Sequence, residues 1–345
     1  MEKKVSDKFQ YVKLLLKHKI SIAFIIFLAT YSIFIYSYVA ITVAPADDAS
    51  DYLTNARNWL NNDPIASTYR PPLFSLYIAG VWAMAGENWL TIQYLQPIFS
   101  LGAAIILFLA LRKHKGGIFA FGVSALTLLN PTVFFWSTQI MTEGISLFFL
   151  VLSFYFMKSN RQSSWYLGGI AMGLTFASRY SILLEAVVIF VIECLIRKDR
   201  KFLSRTAASA TVTIAVFILL VYLKIGYFVG AQPSDTHFTF LLSSFYFQNS
   251  INIWGLSFIL LPIAFLFKRT YTDKYNYTFI AWFIVSLLFW SANPEPVLHS
   301  PRYLIQFMPA VYYLVILAIE NIARIDSIRE TIFGVLRASR NSRKN

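Results

Sequence analysis

The sequence has few charged residues and a single cysteine. Only 14% of its 345 residues are Asp, Glu, Lys or Arg, whereas a soluble domain has about a quarter. With 57% hydrophobic residues and a mean hydropathy of +0.58, the chain cannot cover a water-soluble surface. This composition excludes a typical soluble enzyme and a disordered chain. The lone Cys194 excludes an intrachain disulfide scaffold.

Long apolar runs are abundant and follow one another with short gaps. A membrane-spanning helix needs about 20 mostly apolar residues. Ten runs approach this length, which predicts one all-α polytopic membrane domain over residues 1–325, followed by a basic tail, 326–345. The runs lie at about 20–44, 90–111, 117–137, 141–157, 165–178, 180–196, 206–224, 252–267, 276–291 and 303–320.

The lysines and arginines predict the orientation of these spans, because such residues near span ends favour the cytoplasm. If the apolar stretch 71–85 lies in the membrane interface instead of crossing, 25 of the 30 Lys and Arg residues fall on one face. That face is then cytoplasmic, together with both termini. The net charge of +13 therefore reflects membrane orientation and does not indicate a nucleic-acid partner. The opposite, outer face has two long loops, 45–89 and 225–251, and five cations: Arg57, Arg70, Arg179, Lys224 and Arg302.

The first outer loop begins with three carboxylates directly after the first span, namely Asp47, Asp48 and Asp51. One interpretation is the acidic N-terminus of a short helix over 49–61, because Asp caps helices and suits the helix dipole. The other interpretation is a catalytic carboxylate held just above the membrane. The residues alone leave both open.

Arg179 stands between two apolar runs with almost no loop around it. A cation this close to the hydrocarbon edge extends to water, pairs with a carboxylate or binds an anion. Two acids near the outer ends of spans, Glu143 and Glu185, are costly at that depth unless they are paired or face a wet cavity. If these residues have only a structural role, Glu185 pairs with Arg179. Four of the five outer cations are arginines, and the guanidinium fork suits phosphate oxygens.

Other catalytic templates are absent from the sequence. There is no pair of histidines at zinc-protease spacing, no Gly-x-Ser-x-Gly element and no glycine loop that would cradle a phosphate. His299, on the outer face, has no nearby His or Cys partner and is therefore read as a surface polar residue instead of a metal ligand.

The first outer loop resembles that of the GT-C glycosyltransferases, a superfamily that includes the protein O-mannosyltransferases and the aminoarabinose transferases that modify lipid A. In that pattern an Asp after the first span is followed by a Tyr four residues later, then by Ala-Arg and by an Arg-Pro-Pro-Leu element that opens a juxtamembrane helix. The usual second acid is replaced by Ala49, so Asp47 remains an alternative, although the spacing favours Asp48. The matching residues are Asp48, Tyr52, Ala56-Arg57, Arg70-Pro71-Pro72-Leu73, Ala85-Gly86-Glu87, Glu143, Arg302-Tyr303 and Pro309.

The resemblance implies a GT-C fold with about ten transmembrane helices and juxtamembrane helices at about 49–61 and 71–85. It implies a polyprenyl-phosphate sugar donor and a lipid, glycan or protein acceptor, with transfer to a hydroxyl on the outer face of the plasma (inner) membrane and inversion at the anomeric carbon. A divalent metal, with Asp47 or Glu143 as ligands, is left open. The implied site comprises Asp48 or Asp47 as general base, Arg179, Arg302, Arg57 and Arg70 for the donor phosphate, and Asp51, Tyr52, Glu143, Glu185, His299 and Tyr303 as supporting residues.

The alternative function is a transporter or flippase of an anionic lipid-linked substrate. Such a protein needs polar residues along the bilayer midplane and often has broken or repeated helices. The spans here are polar mainly at their outer ends, which favours the transferase. A non-catalytic membrane scaffold would not require the outer-loop pattern at all.

Overall fold

The structure is a computed structural model that describes residues 2–40, 48–66, 70–225, 257–291 and 301–342. The regular secondary structure within these residues is all helical, which confirms the all-α part of the predicted fold class. Two 3₁₀ helices, Tyr180–Ile182 and Pro301–Phe307, precede α10 and α15. The α-helices are α1 (Glu2–Val39), α2 (Asp48–Leu60), α3 (Pro72–Ala85), α4 (Trp89–Leu95), α5 (Pro97–Lys115), α6 (Gly117–Leu129), α7 (Pro131–Trp136), α8 (Glu143–Lys158), α9 (Gln162–Ser178), α10 (Leu183–Arg197), α11 (Arg200–Ile225), α12 (Ser257–Leu266), α13 (Lys268–Thr272), α14 (Lys274–Ser291) and α15 (Met308–Ser342).

The predicted spans coincide with helices wherever the structure describes them. Four helical segments in the described part are long and apolar enough to cross a membrane, judged by length and composition. The other predicted spans consist of shorter helices, so the count of ten stays a prediction. Residues 326–342, predicted as a tail, continue the helix α15. The four long segments are His18–Val39, Trp89–Lys115, Arg200–Lys224 and Arg302–Ile325.

Proline divides two of the predicted spans. Pro97 starts α5 directly after α4, and Pro131 starts α7 directly after α6. Proline has no backbone N–H to donate but suits the first turn of a helix, so each proline ends one helix and opens the next. Asn130 caps α7 by accepting hydrogen bonds from the backbone N–H groups of Thr132 (2.9 Å) and Val133 (3.1 Å). The second break produces the short helix α7, and the turn after it leads into α8.

The last long segment is the most enclosed part of the bundle. In its most apolar stretch of 18 residues, 83% is buried within the protein, compared with 17% in the corresponding stretch of the first segment, His18–Val39. Most apolar side chains of 303–318 belong to the largest apolar core, which also includes residues of α5, α6, α8 and α14. The side chain of Arg302, at the start of this segment, is consequently enclosed mostly by protein and is 14% exposed.

The helices α9 and α11 pack closely through glycine. A methyl group added at Gly169 would overlap the hydroxyl of Ser209 and the carbonyl oxygen of Thr206, and one at Gly173 would lie 2.5 Å from Cβ of Thr213. Small residues let two membrane helices approach closely, which maximises van der Waals contact where water supplies no driving force. The glycines therefore set the distance between these two helices.

We expect Gly169→Ala to lower the thermal stability of the purified protein. The added methyl group must push α9 and α11 apart, and overpacking of this kind costs about 1–3 kcal/mol. Gly80→Ala is the matched control, because a Cβ at Gly80 meets nothing within 4 Å and alanine favours a helix. Thermal unfolding in detergent measures both variants. Equal melting temperatures for Gly169→Ala and the parent would contradict this account of the packing.

A buried ion-pair cluster joins the helix ends opposite the first outer loop. Nζ of Lys158 lies 2.6 Å from Oε1 of Glu193, which also accepts a hydrogen bond of 2.7 Å from the hydroxyl of Thr278. Arg197 lies 3.7 Å from the other carboxylate oxygen of Glu193. The side chain of Glu193 is 2% exposed, so its charge requires these partners. Segments predicted to share the cytoplasmic face thus meet at one end of the bundle.

The first outer loop folds into the two helices that were predicted, with bounds of Asp48–Leu60 and Pro72–Ala85. Their apolar faces pack together, with Tyr52 in edge-to-face contact with Phe74 at 5.0 Å between ring centroids. In the connection, the Oδ1 of buried Asn55 accepts a hydrogen bond of 3.0 Å from the N–H of Ala66. This bond holds the segment that follows α2 against the middle of that helix.

Candidate active site

Asp48 is the first residue of α2, and arginines bind both of its carboxylate oxygens. Arg70 donates a hydrogen bond from Nη2 to Oδ1, and Nη1 of Arg302 lies 2.8 Å from Oδ2. Arg70 directly precedes the Pro71-Pro72 pair that opens α3, whereas Arg302 belongs to the 3₁₀ helix before α15. The structure therefore brings three sequence-predicted residues, from both halves of the chain, to one point.

Asp51 holds Arg70 from a second side. Nε of Arg70 donates to Oδ2 of Asp51 at 3.0 Å, and the guanidinium carbon lies 5.4 Å from the centre of the Tyr52 ring. Residues 48, 51 and 52 lie on one side of α2 because a helix repeats every 3.6 residues. The predicted supporting residues Asp51 and Tyr52 thus act on the same arginine.

Glu143 and Arg179 form the neighbouring ion pair. Nη1 of Arg179 lies 2.5 Å from Oε1 of Glu143, and Nε of Arg302 lies 4.0 Å from the same oxygen. The side chain of Glu143, the first residue of α8, is 3% exposed. Arg179 follows α9 in an extended conformation, which directs the chain away from the helix axis. Arg179 pairs here with Glu143, whereas Glu185 is completely buried in α10.

Aromatic rings hold the two outer arginines together. The ring centre of Tyr303 is 4.6 Å from the guanidinium carbon of Arg179 and 5.1 Å from that of Arg302. Nη2 of Arg302 also donates a hydrogen bond of 3.1 Å to the Tyr303 hydroxyl. The ring centre of Trp136 lies 5.6 Å from the guanidinium carbon of Arg302, a contact that the sequence did not predict. The position of Trp136 at the end of α7, shortly before α8, was the available signal. Ring faces stabilise both cations where water is scarce.

These residues form a charge-balanced group, which we call the outer charge cluster. Its side chains are partly or fully buried, and it contains three carboxylates and three guanidinium groups. Burial alone would raise the pKa of Asp48, but the hydrogen bond from Arg70 and the charge of Arg302 outweigh burial and hold that pKa below its usual value. Asp48 is therefore ionised at neutral pH. The cluster consists of Asp48, Asp51, Glu143, Arg70, Arg179 and Arg302.

Arg57 lies apart from this cluster. It forms an exposed ion pair with Glu87, in which Nε of Arg57 donates to Oε1 at 2.9 Å. Nine residues separate Arg57 from Asp48 along α2, which corresponds to about 13 Å of helix. The structure thus does not bring Arg57 to the other predicted phosphate-binding residues. The predicted site residues Asp47 and His299 lie outside the described part of the chain.

The carboxylates of the outer charge cluster are paired with arginines in the structure. In the part of the chain that the structure describes, no group of three His, Cys, Asp or Glu side chains is arranged to hold a metal ion. Glu143 and Asp48, two acids of this region, both face the guanidinium of Arg302. The metal option that involves Asp47 falls outside the described residues.

Comparison with known proteins gives a match of part of the chain to one family model and a likeness in fold to solved structures. Residues 69–224 match the model of the dolichyl-phosphate-mannose-protein mannosyltransferase family. No curated protein matches the chain by sequence. ArnT from Cupriavidus metallidurans bound to undecaprenyl phosphate is similar in structure, with a TM-score of 0.70 over 86% of this chain at 15% identity. ArnT from the same organism in the apo state gives 0.68 over 87% of this chain at 14% identity.

The chain spans about 60% of the length of these two ArnT structures. At this level of identity the likeness shows the fold, and the family match covers Arg70, Glu143 and Arg179 of the outer charge cluster. The apolar helices identify an integral membrane protein. Residues 69–224 thus match a mannosyltransferase family, and the chain has the fold of the GT-C superfamily of membrane glycosyltransferases, as the pattern of its first outer loop predicted.

Proposed function

We propose that the chain is a membrane glycosyltransferase that moves a sugar from a polyprenyl-phosphate donor to an acceptor hydroxyl on the outer face of the membrane. The observation that supports this most directly is the ionised carboxylate of Asp48 beside Arg70 and Arg302 at the outer end of the bundle. A lipid-linked donor presents its phosphate and its reactive carbon at the membrane surface. The transfer reaction therefore needs a base and several phosphate-binding cations at the membrane surface.

The chemistry requires one base and no separate acid. The acceptor oxygen attacks the anomeric carbon while the bond from that carbon to the phosphate oxygen breaks. The electron pair of that bond leaves on the phosphate, and the acceptor proton passes to Asp48. A phosphate departs without protonation, so the paired carboxylates of glycosidases are unnecessary. The single displacement inverts the anomeric centre.

The arginines of the cluster supply the charge stabilisation. As the bond breaks, negative charge accumulates on the phosphate, and preorganised cations in a partly desolvated site lower the barrier. Arg179 and Arg302 lie on either side of Glu143 and share the ring of Tyr303, so both can address one anion. Arg70 approaches from the first outer loop.

The comparisons support the class of donor. The ArnT structure contains undecaprenyl phosphate, and the family description names dolichyl-phosphate-mannose. Undecaprenyl phosphate is a polyprenyl phosphate, and dolichyl-phosphate-mannose is a sugar linked to a lipid phosphate of the same class. Only the family description names a sugar, so the proposal specifies the lipid phosphate and leaves the sugar to experiment.

Mass spectrometry of glycans and lipids from cells with and without the gene tests the proposal. We expect one sugar to disappear from a cell-envelope acceptor, which identifies both the sugar and the acceptor. The purified protein should then transfer this sugar from its undecaprenyl-phosphate conjugate. Movement of that conjugate across vesicles without a covalent product would instead support the transporter.

The orientation of the chain is a separate prediction, and it rests on the unequal distribution of Lys and Arg. In a Cys194→Ser background, His114→Cys should resist an impermeant thiol reagent in intact cells, because position 114 lies on the predicted cytoplasmic side. Asp63→Cys, in the first outer loop, should react. Both positions are exposed in the structure, so burial does not confuse the comparison. Reaction at position 114 in intact cells would overturn the orientation.

A further inference from the structure

Asp48 is poorly available as a base in this structure. Arg70 binds its Oδ1, and Arg302 binds its Oδ2. A carboxylate with an arginine on each oxygen has its lone pairs engaged, and it must lose one of these contacts before it accepts a proton. The arginines that occupy it are also those that the proposed function assigns to the donor phosphate.

The two arginines are restrained to different degrees. Arg70 is held in place by a second carboxylate, because its Nε also bonds to Asp51 at 3.0 Å. Besides Asp48, Arg302 donates a hydrogen bond of 3.1 Å to the neutral hydroxyl of Tyr303, and its Nε lies 4.0 Å from Oε1 of Glu143, so its contact with a second carboxylate is weaker than that of Arg70. Within the described residues, that Nε is buried and has no hydrogen-bond acceptor. Arg302 is therefore the arginine with spare donor capacity and the weaker competing contact.

Resting on the proposed function, we infer that the donor phosphate takes Arg302 from Asp48, so that Asp48 becomes available as a base only after the donor has bound. The cluster has three positive and three negative side chains, and the phosphate adds one further anion that competes with a carboxylate for a guanidinium. Two phosphate oxygens match the guanidinium fork well.

The exchange also fits the charge changes of the reaction. When Asp48 receives the acceptor proton it becomes neutral and no longer attracts Arg302. At the same time the phosphate gains the electron pair of the broken bond and attracts Arg302 more strongly. Arg302 thus stays bound to the phosphate, which carries the negative charge after the proton transfer. An acceptor that arrives without a donor meets a carboxylate that is already occupied.

A double-mutant cycle on the affinity for undecaprenyl phosphate tests the exchange, with undecaprenol as the control for the lipid tail. The wild type, Asp48→Asn, Arg302→Ala and the double variant are compared in detergent. Because Asp48→Asn removes the competitor for Arg302, it should tighten phosphate binding about tenfold, the value of one charge-assisted contact. In the Arg302→Ala background the same change should alter affinity by no more than about twofold.

The outcomes separate this inference from its alternatives. Equal tightening of phosphate binding in both backgrounds would mean simple repulsion between Asp48 and the phosphate. Unchanged or weaker binding by Asp48→Asn would mean that Asp48 and Arg302 form a purely structural ion pair. Either result overturns the inference. Absence of saturable binding to the wild type would overturn the proposed function as well. Arg302→Gln, which keeps much of the side-chain stem, replaces Arg302→Ala if the latter does not fold. Asp63→Asn, an exposed acid of the same loop, should leave the affinity within about twofold.

Discussion

Asp48→Asn should abolish sugar transfer while the protein still folds and binds the donor lipid. Asparagine has nearly the same shape but cannot accept the acceptor proton, and a positioned general base contributes about 10²–10⁴ to the rate. Asp48 is ionised because Arg70 and Arg302 stabilise its charge, and it begins α2 at the end of the helix where the dipole favours an anion. The measurement is turnover by the purified variant with a synthetic polyprenyl-phosphate sugar, alongside the affinity for undecaprenyl phosphate.

The two neighbouring acids are the controls for this prediction. Asp51→Asn should cost much less than Asp48→Asn, because Asp51 bonds to Arg70 at 3.0 Å and that arginine retains Asp48 as a partner. Asp47→Asn should fall between the two. Near wild-type turnover by Asp48→Asn together with an inactive Asp47→Asn would move the base one residue back. Full activity of both would eliminate a mechanism with a single carboxylate base.

Arg302→Ala should weaken use of the donor by about ten- to a hundredfold, since each charge-assisted contact to a phosphate is worth about 1.5–3 kcal/mol. The loss should appear in kcat/KM for the donor. Arg302→Lys should recover only part of it, because lysine cannot make the bidentate contact of a guanidinium. Lysine would also keep the positive charge beside Glu143 and Asp48, so the comparison separates geometry from charge.

Arg57→Ala is the matched control for the arginine prediction. Arg57 is also an arginine of the predicted outer face, but its side chain is 51% exposed and pairs with Glu87 away from the cluster. We expect its kcat/KM for the donor to stay within about threefold of the wild type, the size of a surface ion pair. Unchanged kcat/KM in Arg302→Ala, or equal losses in both variants, would remove Arg302 from the phosphate site.

The elements of the first outer loop could be predicted because their signals are local. A cluster of acids after an apolar run indicates the start of a helix, and Pro71-Pro72 indicates the start of another. The structure places these helices at Asp48–Leu60 and Pro72–Ala85. The choice of Asp48 and of the outer arginines as candidates likewise required only span ends, charge counting and the spacing that resembles GT-C enzymes.

The partners of the charged residues could not be predicted, because they depend on how distant helices pack. Arg57 and Arg70 were equal candidates in the sequence, yet the structure places Arg70 against Asp48 and Arg57 against Glu87. Glu185 was the nearer acid in sequence to Arg179, but the packing of α8 beside α9 places Glu143 against it. Distance along the chain does not determine which side chains meet in a bundle.

The sequence by itself thus determined an all-helical membrane chain, the positions of the two helices of the first outer loop and the candidate residues, since hydropathy and helix capping are local properties of the chain. Only the tertiary structure decided that Asp48 is bound by Arg70 and Arg302, and that Trp136 and Tyr303 contact the arginines. The physical reason is the burial of Arg302–Ile325 within the bundle, which carries an arginine from the far end of the chain to the first residue of α2.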